Sequence, residues 1–93
     1  MSIKVSLVYP HLQQATNNQD VVEVNGNTLG ECINDLVRQF PEVRKALFDK
    51  HGKLLNYIAL YVNKESTYFD SEPLNKPIKD GDEILIALLL AGG

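Results

Sequence analysis

The sequence predicts an α+β fold: a mixed sheet of four to five strands with one main helix packed on one face, in a single domain spanning residues 1–93. Three observations carry this. Residues near the N-terminus and again at mid-chain alternate with period two, as in half-buried strands. One stretch, Leu29 to Phe40, has a helical apolar stripe long enough to cover a sheet. The last apolar stretch, Ile84 to Leu90, is apolar on both sides, which marks a central strand.

In the first strand Ile3, Val5, Leu7 and Tyr9 alternate with Lys4 and Ser6. Pro10 ends it, because proline cannot donate to a ladder. His11 to Asn18 is polar and reads as a loop, its Asn17-Asn18 pair tolerating tight turns. Val21, Val22 and Val24 form a second short strand, paired antiparallel with the first, and Asn25-Gly26 is a turn signal. Thr28-Leu29-Gly30-Glu31 matches a capping box, Thr28 capping the main helix and Glu31 reaching back. Leu29, Ile33, Leu36, Val37 and Phe40 share that helix's apolar stripe.

Pro41 disfavours continuing through Phe40 and suits the first turn of a short second helix. Its apolar side is Val43, Ala46, Leu47 and Phe48, and His51-Gly52 stops it. Tyr57 to Val62 is the third strand, Asn63-Lys64-Glu65 a turn and Thr67-Tyr68-Phe69 a short strand. Ser71 to Lys79 is irregular, punctuated by Pro73 and Pro77, and Asp80-Gly81-Asp82 is a strong turn before the final strand. In that strand Ile84, Ile86, Leu88 and Leu90 alternate with Leu85, Ala87 and Leu89. One long helix covers only one side, so an exposed apolar patch is expected on the open face; the alternative is that Glu42 to Lys50 or the loops cover it.

The net charge is −3, and the lysines are spread with no dense run. This argues against nucleic acid as the main ligand, since phosphate binding needs clustered cations. A basic groove on a protein partner is the more natural counterpart. One cysteine, Cys32, rules out an internal disulfide or a CxxC metal site and fits a reducing compartment. Met1-Ser2-Ile3-Lys4-Val5 leads straight into a strand pattern, without a signal peptide, and the apolar run Ile84 to Ala91 is too short to span a bilayer. The expectation is a soluble cytoplasmic protein with no membrane partner. A domain of this size is also small for a deep catalytic cleft.

The sequence ends Leu88-Leu89-Leu90-Ala91-Gly92-Gly93. At an average glycine usage of roughly 7%, two terminal glycines arise in roughly 0.5% of chains. A frayed end is one reading. The other is that the terminal carboxylate itself reacts. Ala91 to Gly93 would reach about 10 Å, and without Cβ atoms on the glycines it is thin enough to thread into another protein's active site.

This ending, with the order of elements, resembles the MoaD/ThiS family of ubiquitin-like β-grasp sulfur carriers, and is most similar to its CysO type. Thr28-Leu29-Gly30 opens the main helix, Phe40-Pro41 closes it, Gly52-Lys53-Leu54 precedes the third strand and Val62-Asn63 ends it. Leu74-Asn75-Lys76-Pro77-Ile78-Lys79-Asp80-Gly81-Asp82-Glu83-Ile84 resembles the family's proline-containing turn before the last strand. Many such carriers have a proline shortly before the tail, where Ala87 to Ala91 here has none.

The resemblance implies a protein co-substrate rather than an enzyme. A ubiquitin-activating-like adenylating enzyme of the MoeB/ThiF type would join the Gly93 carboxylate to AMP. A sulfur donor would convert it to a thiocarboxylate, and a sulfur-accepting synthase, favoured to be of a cysteine-forming pathway, would take the sulfur. ATP is used by the activating partner, and no cofactor is expected on the chain itself. Gly93 supplies the reacting atom, and Gly92 and Ala91 keep the approach slender. Leu85, Ala87 and Leu89, with Tyr61, are candidates for partner docking. Alternatives are a small subunit of molybdopterin synthase, a modifier conjugated to protein lysines, and a plain β-grasp interaction module.

Other candidates carry less. His11 and His51 have no second ligand at metal spacing. Asp80, Asp82 and Glu83 lack the twelve-residue calcium-loop pattern, and turn chemistry explains Asp80-Gly81. Cys32 sits beside the helical stripe without a histidine or basic cluster to activate it, so a packed thiol is expected. Gly26, Gly30 and Gly52 form no phosphate-binding pattern, and two isolated histidines make no Ser-His-Asp arrangement.

Overall fold

The computed structural model describes residues 3–89. Its strands are β1 (Ile3–Leu7), β2 (Val21–Val24), β3 (Ile58–Val62), β4 (Glu65–Ser66) and β5 (Glu83–Leu88). Its helices are α1 (Pro10–Ala15), α2 (Leu29–Gln39) and α3 (Val43–Leu47), with a 3-10 turn at Pro73–Asn75. The strands form one mixed sheet in the order β2-β1-β5-β3-β4. β5 runs parallel to β1 and antiparallel to β3, so the strand that is apolar on both sides is central. This is the expected β-grasp, ubiquitin-like architecture.

The core lies between the sheet and α2. Ile3, Val5, Leu7, Ile84 and Ile86 come from the sheet and Leu29, Ile33 and Leu36 from the helix, all buried. Each such side chain contributes about 1.5–3 kcal/mol relative to exposure. Thr28 caps α2: its Oγ1 accepts from the Glu31 N–H at 3.1 Å. Glu31 reaches back as expected, but its carboxylate accepts from Asn27 N–H at 2.8 Å, one residue before the cap. Both bonds satisfy amides that the helix start leaves without a partner. A Cβ on Gly30 would sit 3.0 Å from Leu74 O, so this glycine lets the 3-10 turn pack against α2.

The structure corrects four details. Asn25-Gly26 makes no left-handed turn. Its glycine is needed because a Cβ there would lie 2.7 Å from Cys32 N. His11 to Asn18 is not all loop, since Pro10 to Ala15 is helical. Proline at the first helical position presets φ, Leu12 is buried beneath the turn, and Gln13 Nε2 donates to Leu7 O at 2.8 Å. The short edge strand is Glu65–Ser66 rather than Thr67-Tyr68-Phe69. Asn63 and Lys64 both take positive φ, 51° and 72°, which makes a two-residue hairpin turn pairing Val62 with Glu65 at once. Pairing ends at Thr67, whose N–H and Oγ1 both donate to Leu60 O. Finally, α3 stops at Leu47, before His51-Gly52; Phe48 is already extended and bridges Leu54.

Candidate functional site

The site is built on the far end of β5. Leu88 lies opposite Ile58, and Leu89 N–H donates to Tyr57 O at 2.7 Å, carrying the ladder one step past the strand. Successive side chains alternate between faces. Ile84 and Ile86 therefore enter the core, while Leu85 and Ala87 point the other way and remain half-buried.

Register assembles their neighbours. Leu85 is opposite Tyr61 on β3 and Ser6 on β1, and Ala87 is opposite Ala59. Leu89 lines a shallow cavity with Ala59, Tyr61 and Tyr68. Leu85, Ala87, Leu89 and Tyr61 thus share one face. No helix covers it among the described residues: α3 packs against α1 and α2, so Glu42 to Lys50 does not supply the missing layer. Val21, opposite Ser6, extends the apolar surface and is exposed.

Tyr57 and Tyr68, which the sequence suggests as surface tyrosines of the sheet alongside Tyr61, are exposed. Sequence reasoning missed Phe69, which is 93% exposed in an edge-to-face contact with Tyr68. Reading residues 67–69 as a strand concealed it. The exposed Tyr-Phe step after a short polar edge was the available signal. Ala59 was missed as well, because its place opposite Ala87 depends on register rather than composition.

Ala91, Gly92 and Gly93 lie outside the described residues. Cys32 is fully buried in α2, and burial first, then Asp35, Glu31 and Asp82, pushes its thiol up to about 11, so it stays protonated and unreactive at neutral pH. The buried Tyr9 hydroxyl has no partner among the described residues; burial, with Tyr57 adding, raises its pKa to about 12. Asp82 is spent on the turn. Its carboxylate accepts from Asn63 Nδ2 at 3.0 Å and from Lys79 N–H at 2.8 Å, and these bonds hold it below the usual range. His11 and His51 are exposed. Among the described residues no three His, Cys, Asp or Glu side chains gather as a metal site, and no helix is long and apolar enough to cross a membrane.

An uncovered apolar sheet face beside a central last strand marks a β-grasp domain whose surface suits a protein partner. Residues 7–93 match the ThiS family model, and the chain belongs to that family. It is 36% identical to the sulfur carrier protein CysO of Mycobacterium tuberculosis, with all of both chains covered. It is 32% identical to ubiquitin-related modifier 1 of Encephalitozoon cuniculi, over 83% of this chain and 86% of that one. Among solved structures it superposes with a TM-score of 0.82 on a chain of the Amycolatopsis orientalis BexX/CysO complex, 32% identical, covering 98% of this chain and 99% of that one.

Proposed function

We propose that this protein is a sulfur carrier, acted on by enzymes rather than being one. The observation that carries the reading is its full-length similarity to a sulfur carrier protein, at 36% identity. The reacting group is the Gly93 carboxylate. A carboxylate resists attack because oxide is a poor leaving group. In a partner's active site one of its oxygens attacks the α-phosphorus of ATP, the bond to pyrophosphate breaks, and an acyl-adenylate forms. A sulfide-level donor then attacks the acyl carbon and AMP departs, leaving Gly93 as a thiocarboxylate. That sulfur is nucleophilic at neutral pH and displaces the leaving group of an activated substrate held by a synthase, favoured to be one that forms cysteine; hydrolysis of the acyl–sulfur bond then leaves the sulfur on the product and restores the Gly93 carboxylate.

The partners supply the catalytic groups. This chain supplies a base for the tail, since β5 is paired with β1 from Glu83 to Ile86 and with β3 from Ile84 to Leu88, and Leu89 N–H donates to Tyr57 O beyond it. It also supplies the apolar face of Leu85, Ala87, Leu89 and Tyr61, on which the adenylating enzyme docks. Ala91 and Gly92 keep the approach to Gly93 narrow.

The test is to incubate the protein with its host's extract, ATP and sulfide, digest with trypsin and weigh the fragment Asp80–Gly93. A gain equal to sulfur minus oxygen, dependent on ATP, is expected. An unchanged fragment, in an extract that loads a known carrier, overturns the reading. The similarity to a ubiquitin-related modifier favours a second reading, in which the activated Gly93 forms an isopeptide bond with a lysine of another protein. Its mark is Gly93 recovered on lysine side chains.

A further inference from the structure

The helix side of the molecule carries a second surface, which meets the uncovered sheet face at Leu54 and Pro73. Three shallow concavities meet at Gly52. One lies between α2 and α3 and holds Arg44 and Leu74; one runs along the end of α3 past Phe48 and Lys50; one crosses to the 3-10 turn at Pro73–Asn75. Gly52 has a φ of 78°, and even an added Cβ would meet nothing within 4 Å, so no side chain blocks the middle. Phe48, Leu54 and Leu74 give the groove half-buried apolar walls.

Its charge runs against that of the chain. Arg44, Lys45, Lys50 and Lys53 stand against Asp49 alone over residues 44–53, in a protein of net charge −3. All four cations are exposed. Lys45 has a loose 3.9 Å contact with Glu42, and Arg44, Lys50 and Lys53 have no ion-pair partner among the described residues. Asp49 is exposed and lines the same concavity, but its Oδ1 is engaged by its own loop, accepting from the N–H groups of His51 and Lys53 at 2.8 and 3.0 Å. The spacing hides the cluster in the sequence, and the 49–52 turn brings it together.

We propose that this groove binds an extended acidic segment of a partner protein, anchored by apolar side chains against Phe48 and Leu74. Charge complementarity selects the acidic residues, and the walls require side chains that a phosphate backbone does not offer. Leu54 and Pro73 also line the cavity that holds Leu89, so the groove adjoins the sheet face there, while Leu85 and Ala87 lie outside it and stay open to the enzyme that acts on the tail.

The experiment titrates the isotope-labelled full-length protein with a short acetylated peptide of Glu and Asp carrying one Phe and one Leu, following amide shifts. Saturable shifts confined to residues 44–54 and 72–75 are expected, with affinity falling about tenfold in high salt as the charges are screened. Arg44→Glu with Lys50→Glu should weaken binding at least about tenfold, since it reverses two partnerless cations. Both residues are exposed, and a dispersed spectrum verifies the fold; Lys53→Glu is the independent second variant. Absence of saturable shifts overturns the proposal. So does equal binding of a peptide with Lys in place of the acids, or a shift pattern centred on Leu85 and Ala87.

Discussion

The two sides of β5 are built from the same kind of residue and meet opposite fates. Ile84 and Ile86 are sealed beneath α2, at 1% and 0% exposure. Leu85 and Ala87 alternate with them, share their ladder, and are left half-buried with Tyr61 and Ala59. Apolar composition says from where water is to be excluded; only topology says by what. One side is covered within the chain. The other is left uncovered among the described residues, and under the proposed function its area would contribute to association instead of folding.

Paired truncations test that division most strongly. Ile86→Ala should cost about 3 kcal/mol, because it opens a cavity in a packed interior. Leu85→Ala should cost less than about 1 kcal/mol. Urea unfolding of the two variants checks this, and equal losses would mean that both sides are core. Next in size, Gly26→Ala probes the seam that holds α2 over the covered side. The added methyl would lie 2.7 Å from Cys32 N, so backbone must shift, at about 2 kcal/mol in thermal unfolding. Full stability would show that the helix start can slide. For the uncovered side, Leu85→Glu should leave the unfolding midpoint nearly unchanged and slow ATP-dependent sulfur loading of Asp80–Gly93 by about tenfold or more, as expected for a charge placed in an apolar contact. Unchanged loading would remove this face from partner docking.

How much of this was legible follows from how each signal is encoded. β5 was readable because every second residue is apolar in both registers, and that placed Leu85, Ala87 and Leu89 on a single side in advance. α2 was readable from its stripe and its Thr28 cap. α1 was not: a single buried residue, Leu12, gives no periodicity, and Pro10 ends a strand and starts a helix equally well. β4 was misplaced by two residues because the left-handed pair Asn63-Lys64 turns the chain sooner than a three-residue turn would, and Glu65-Ser66 is too polar to announce a strand. The partners across the ladder, Ser6 and Ala59, depend on register, which no local pattern carries, while the groove's cations lie within residues 44–53 but its walls from Leu74 and the 3-10 turn come from elsewhere in the chain.

The smallest expected effect concerns the opposite end of β5 from Leu89, where both faces begin. Asn63 and Asp82 tie the β3–β4 hairpin to the turn before β5. Asn63 Oδ1 accepts from Glu83 N–H at 2.9 Å, and its Nδ2 donates to Asp82, whose other oxygen takes Lys79 N–H. These bonds depress the Asp82 carboxyl. A depressed carboxyl contributes stability that is complete above its unfolded pKa, about 3.9, and is lost as pH falls through the lower folded value. Asp82→Asn should therefore lower the melting midpoint at pH 7 and have little effect at pH 2, the two curves converging on the acid side. A constant offset at all pH values would show that the carboxyl's ionisation is not what holds the turn. Because this network touches neither Ile86 nor Leu85, the Ile86→Ala and Leu85→Ala losses should add to that of Asp82→Asn within about 0.5 kcal/mol. Marked non-additivity with Leu85→Ala alone would mean that the uncovered face is coupled to the base of its strand, and that cover is not the only difference between the two sides.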